Sequence, residues 1–128
     1  MGGLLVGHIG DSGEICVISG FFPEQIKATA KTGSPFIELH TGAFAEAYAD
    51  ETKRAAEIER LAKAAEQAKA LGIGVNAGHG INYVNVAEAR TLSSIFEFNI
   101  GHSVISRALF TGIEEAVSTM RSLLNSES

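Results

Sequence analysis

Short apolar runs alternate along this chain with longer stretches of helical periodicity, and glycine, proline or a short polar residue stands at most of the junctions. Ile15-Cys16-Val17-Ile18 is the first run with strand character; Gly13 and Gly20 bound it, and it suits a strand covered on both faces. Pro23 opens a helix that should run to about Thr32, with Ile26 and Ala30 one turn apart and Gly33 as a left-handed C-cap. In Pro35-Phe36-Ile37-Glu38-Leu39-His40 alternation sets Phe36, Glu38 and His40 on one face of a second strand and Ile37 and Leu39 on the other. After Thr41-Gly42 a long helix is expected from about Asp50 to Leu71. Its stripe is Ile58, Leu61, Ala62, Ala65, Ala68 and Leu71, and Gly72 stops it.

The third strand is Ile73-Gly74-Val75-Asn76, ending in Ala77-Gly78-His79-Gly80. Asn85 and Glu88 have the spacing of a capping box, which predicts a helix to about Leu92. Glu97-Phe98-Asn99-Ile100 is the fourth strand, and Gly101-His102-Ser103 leads directly into Val104 to Leu109. A second capping box, Thr111 to Glu114, opens a last helix with Ile113, Ala116, Val117, Met120, Leu123 and Leu124 on its core face.

This order repeats β then α with short connections, which implies parallel strands joined by right-handed crossovers. The expected fold class is α/β, with four βα units making either a small open sheet or half of a (β/α)8 TIM barrel. Residues 1–14 stand apart as an N-terminal segment, and residues 15–128 form the expected half-barrel domain. Four parallel strands leave two open edges, assigned to Ile15–Ile18 and Glu97–Ile100. Such edges predict self-association.

Composition narrows the function classes. Of 128 residues 45% are hydrophobic and 20% charged, and the formal charge is −5, so no basic stripe awaits a nucleic-acid backbone or an anionic membrane. No nucleic-acid or membrane partner is expected. Cys16 is the sole cysteine, which rules out an intrachain disulfide and reads as a small apolar strand residue. Met1 to Gly7 has no basic region and too short an apolar run for a signal peptide or a span, so a cytoplasmic protein is expected.

The chemistry collects at strand ends. Glu38 and His40, Asn76 and His79, and Asn99 and His102 all fall at or just beyond the carboxyl ends of successive expected strands, where α/β folds bind ligands. Alternation aims Glu38, Asn76 and Asn99 away from the helix-covered face, hence toward a barrel interior. Gly101 permits close backbone approach, and the helix that starts beside it offers free N–H groups and a positive dipole end, so Gly101-His102-Ser103 is a candidate phosphate site. His79 lies between Gly78 and Gly80. An imidazole can protonate an oxygen leaving group, and Glu38 could stabilise positive charge or relay a proton. Zinc is a weaker alternative for the histidines and Glu38, because no pair has the short helical ligand spacing. Arg107 reads as a salt-bridged helix residue, or else as one reaching toward the phosphate.

At Phe36-Ile37-Glu38-Leu39-His40-Thr41-Gly42, Val75-Asn76-Ala77-Gly78-His79-Gly80 and Asn99-Ile100-Gly101-His102 the sequence resembles the sixth, seventh and eighth strand ends of the pyridoxine 5′-phosphate synthase family. Pro23 to Lys27 and Arg107 to Gly112 extend the likeness, in the family's order, over roughly four fifths of the chain. The resemblance implies a transferase of vitamin B6 biosynthesis that condenses 3-amino-2-oxopropyl phosphate with 1-deoxy-D-xylulose 5-phosphate, without a metal or organic cofactor. It implies that His79 is the proton donor, Glu38 a transition-state or relay carboxylate, and Gly80, Gly101 and His102 contacts to the aminoketone phosphate. Phosphorylated small molecules are the implied substrates, and a homo-oligomer of full barrels the implied assembly.

The family's general-base histidine, its second catalytic glutamate and most of its deoxyxylulose phosphate contacts belong to segments this sequence does not contain. A chain with only the C-terminal half of the site is therefore expected to be incomplete as a synthase. The rival expectation is a noncatalytic half-barrel that binds a phosphorylated metabolite or self-assembles. Leu4 to Ile9 faintly resemble the family's first strand, although His8 reads more simply as an exposed loop residue. Ser19-Gly20-Phe21-Phe22 departs from the family's fifth strand end.

Overall fold

The computed structural model describes residues 22–126 in full and residues 6–9 and 15–19 as backbone. The elements are β1 (Val6–Ile9), β2 (Ile15–Ser19), α1 (Pro23–Thr32), β3 (Phe36–His40), α2 (Gly42–Ala47), α3 (Glu51–Ala70), β4 (Gly74–Gly78), α4 (Val86–Ala89), β5 (Glu97–Asn99), α5 (His102–Thr111) and α6 (Ile113–Asn125). They form an α/β structure around one sheet in the order β1-β2-β3-β4-β5. The pairs β2–β3, β3–β4 and β4–β5 are parallel, and β1 is antiparallel to β2.

That first strand corrects two expectations. Ile15–Ile18 is not an edge, because Val6–Ile9 pairs along its outer side. His8 belongs to β1, opposite Cys16, and not to a loop. The side chains of both residues, and Gly20 and Phe21, lie outside the described residues.

Alternation along β3 sorts its side chains as the sequence implies. Ile37 and Leu39 are fully buried and join Ile26 of α1, Leu61, Ala64, Ala65 and Ala68 of α3, and Val75 of β4 in one core. Each large aliphatic side chain buried there contributes about 1.5–3 kcal/mol. The alanine stripe of α3 lets its backbone lie close to the strands, and Asp50 caps the helix by accepting from the Lys53 N–H at 3.1 Å. Pro23 at the first turn and Gly33 in the left-handed conformation bound α1 as expected.

Several helix boundaries differ. Helix α2 was not foreseen; six residues are too few to show a period. Leu71 lies beyond the end of α3 and is 46% exposed. Neither expected capping box forms. Asn85 turns its side chain back toward the preceding loop, and the Thr111 hydroxyl lies 3.2 Å from the carbonyl oxygens of Arg107 and Gly112 while Gly112 precedes α6. On α6 only Ala116 and Met120 are buried, Leu123 and Leu124 are partly so, and Ile113 and Val117 stay exposed because no described element covers that face. Among the described residues no helix is long and apolar enough to cross a membrane.

The sheet face away from the helices is built by reach across β4. Its two end residues on that face are glycines. The Phe36 ring lies over Gly74 and meets Phe96, with ring centroids 5.8 Å apart. One layer higher, Glu38 and Asn99 meet over Gly78, and the Asn99 amide donates to the Glu38 carboxylate. A β-carbon at Gly78 would stand 2.9 Å from a Glu38 oxygen and 3.0 Å from the Asn99 carbonyl oxygen. Glycine inside a strand therefore marks a close approach here.

Candidate functional site

The carboxyl ends of β4 and β5 open into a cleft of about 540 Å³ lined by His79, Gly80, Ile81, Asn82, Asn99, Ile100, Gly101, His102 and Ser103. Five of the six residues singled out in the sequence therefore share one wall system: His79, Gly80, Gly101, His102 and Ser103. The sixth, Glu38, is 8% exposed and is not part of the lining; it touches the cleft through its hydrogen bond to Asn99. Asn76 is Glu38's register partner on β4 and is likewise buried.

Helix α5 begins at His102, with Gly101 before it and no side chain capping it. Its first-turn N–H groups have no intrahelical acceptors, and they sum with the helix dipole into an anion-seeking end at the cleft wall. Gly101 has φ −125° and no atom within 4 Å of where a β-carbon would be, so its side of the cleft is open. The Ser103 hydroxyl donates to the Ile81 carbonyl at 2.8 Å, which ties α5 to the loop after β4. With that proton committed, the backbone N–H is the donor Ser103 has left for a ligand.

The other wall is the turn after β4. His79 has φ +86° and Gly80 φ +77°, two successive residues in the left-handed region. For histidine that conformation is uncommon, and strain of this kind concentrates at ligand sites. The turn is held from outside. Asn85, 1% exposed, donates to the Gly80 carbonyl at 3.0 Å and accepts from the Asn82 N–H at 2.8 Å.

The His79 ring stacks on His40, centroids 4.3 Å apart and planes inclined by 26°. The Gly42 N–H donates to His40 Nδ1 at 3.3 Å, which favours the neutral ring with its proton on Nε2. His40's pKa is lowered from its ordinary value first by burial of part of the ring and then by His79, against the opposing pull of Glu38 and Glu46. The His40 ring thus presents a flat face to His79, and the lowered pKa disfavours charge on it.

Arg107 takes its structural role. Its guanidinium makes a bidentate pair with Glu115, at 3.0 and 2.7 Å, and lies 4.7 Å above the Tyr83 ring centroid. Among the described residues no three His, Cys, Asp or Glu side chains are placed to hold a metal ion. Sequence reasoning missed Gly78, whose signal was a glycine at a strand end, and Thr41, whose contacts with the β4 exit had no local signal at all.

Parallel strands β2 to β5, with polar residues and a helix N-terminus around a cleft at their carboxyl ends, build the kind of small-molecule site found in α/β proteins. The family model described as "Pyridoxal phosphate biosynthesis protein PdxJ" matches residues 15–126, and the chain belongs to that family. It is 56% identical over 102 residues to pyridoxine 5′-phosphate synthase of Opitutus terrae, covering 80% of this chain and 41% of that protein. Against the synthase of Geobacter sulfurreducens the identity is 48% over 122 residues, covering 93% and 50%. Against that of Gloeothece citriformis it is 54% over 99 residues, covering 77% and 41%. The chain spans half or less of the length of these relatives.

Proposed function

We propose that this chain carries the C-terminal half of a pyridoxine 5′-phosphate synthase site, on four βα units equivalent to half of a (β/α)8 barrel. The observation that carries the reading is the convergence of His79, Gly80, Gly101, His102 and Ser103 on one cleft with the start of α5 in its wall. A phosphate fits the free N–H groups of that helix end, with Gly101 and Gly80 leaving the backbone accessible. The phosphate is that of 3-amino-2-oxopropyl phosphate, condensed with 1-deoxy-D-xylulose 5-phosphate. His79, at the rim beside it, donates a proton to a departing oxygen, and Glu38, bonded to Asn99, offers negative charge to a cationic intermediate.

The second reading, a noncatalytic half-barrel that binds a phosphorylated metabolite or self-assembles, draws support from the same cleft, whose helix start suits an anion without any catalytic step. Under either reading residues 15–128 are the working domain, and the open side of β5 and the uncovered face of α6 favour a homo-oligomer. The cytoplasm is the compartment assigned.

Titration with inorganic phosphate tests the shared part. The folded Gly101→Val protein is expected to lose binding that the parent shows, because a side chain there enters the open wall; unchanged affinity rejects the site. Turnover of the two substrates by the isolated chain at an ordinary enzymatic rate of about 1–10³ s⁻¹ rejects the noncatalytic reading, and with it the expectation that half of the site is incomplete.

A further inference from the structure

We infer that Thr41 is a positioning residue for His79, holding the turn after β4 in the left-handed conformation that turns the imidazole into the cleft. This rests on the reading that His79 acts there. Thr41 follows β3 directly and is 1% exposed. Its N–H donates to the Gly78 carbonyl at 2.8 Å, and its hydroxyl lies 2.7 Å from that same oxygen and 2.6 Å from the His79 carbonyl oxygen.

A hydroxyl has one proton to give. Gly78 already receives the N–H, so the hydroxyl proton is the donor available to His79. In a continuing strand successive residues alternate sides, and two neighbouring carbonyls would not reach one partner. Here both reach Thr41, and the residue between them is the one with φ +86°. Thr41 is itself held, since its carbonyl accepts from the Ala45 N–H of α2 at 3.1 Å. The hydroxyl thus projects from a fixed helix start onto a strained turn, and it reaches the His79 carbonyl in the geometry that this turn gives it.

Its chain neighbours grip the same residue. His40 stacks on the His79 ring, and a β-carbon at Gly42 would come within 2.5 Å of the His40 ring and 3.2 Å of the His79 ring. The tripeptide His40-Thr41-Gly42 therefore places His79 by a ring face, a hydroxyl and an absent side chain. Thr41 is the member that acts on the backbone.

The test is side-chain and backbone NMR of the isotope-labelled full chain, which requires neither substrate nor turnover and so is independent of the synthase reading. In Thr41→Val, which keeps the shape and loses the donor, the His40–His79 inter-ring contact is expected to vanish and the His79 amide and ring resonances to shift. In Thr41→Ser the contact and the resonances should return. A folded Thr41→Val that keeps the contact and the His79 shifts, and only unfolds at lower denaturant, overturns the inference and leaves Thr41 a packing residue. Should Thr41→Val fail to fold, the Thr41→Val/His79→Gly double variant decides, because glycine takes the left-handed turn without the hydroxyl's help. Recovery of folding supports the inference, and a double variant as unfolded as the single one overturns it.

Discussion

Gly80 and Gly33 offer a matched pair of substitutions. Their φ values are +77° and +76°, so alanine meets the same backbone strain at both, about 1–2 kcal/mol. Their surroundings differ. At Gly33, the cap of α1, a β-carbon meets nothing within 4 Å; at Gly80 it would come 2.5 Å from the Ala45 β-carbon. Ala45 has no rotamer to move and sits on α2, so either the helix or the turn after β4 must give, at a typical overpacking cost of about 1–3 kcal/mol. Gly33→Ala should therefore lose about 1–2 kcal/mol, and Gly80→Ala about 2–5 kcal/mol as the sum of both effects. Urea unfolding followed by far-UV circular dichroism gives each loss as a midpoint shift multiplied by the slope. Equal losses in the two variants would refute the close approach of α2 to the turn, and with it the geometry assigned to the wall of the cleft that Gly80 forms.

Two other side chains carry hydrogen bonds whose loss is measurable, Glu115 on α6 and Asn85 behind the cleft. Hydrogen bonds from Arg107 first, then from Thr111 and Thr119, hold the Glu115 carboxyl at a pKa of about 2, below its ordinary 4.5. A depressed carboxylate stabilises the folded state fully above the ordinary value and loses that contribution as pH falls through the folded value. Acid unfolding of the parent chain should thus show a pH-dependent loss between those two values that Glu115→Gln lacks, and identical acid profiles would reject the pair as a stabilising contact. Asn85→Ala removes the side-chain partner of both the Gly80 carbonyl and the Asn82 N–H, two part-buried hydrogen bonds, an expected loss of about 0.5–1.5 kcal/mol for each in urea unfolding. A loss of only a few tenths would mean that Asn85 does not support the turn.

Local periodicity determined a good deal of this protein from sequence alone. The alternation of Phe36 to His40, the proline and glycine bounding α1 and most of the α3 stripe are set by neighbours within a turn or two and appear where the sequence placed them, although Ala64 joins that stripe and Leu71 leaves it. Placing polar residues at strand ends was enough to gather His79, Gly80, Gly101, His102 and Ser103, because parallel strands align their carboxyl ends. Both capping boxes failed for the opposite reason. The spacing of Asn85 to Glu88 and Thr111 to Glu114 was correct, but other acceptors and donors lay nearer in space. Only tertiary structure decided that β1 covers β2, that Glu38 reaches Asn99 over Gly78, and that Thr41 meets the carbonyls of Gly78 and His79. Those contacts join residues 37 to 61 positions apart or run between antiparallel strands, and side-chain type alone does not say which distant backbone a hydroxyl or a carboxylate will meet.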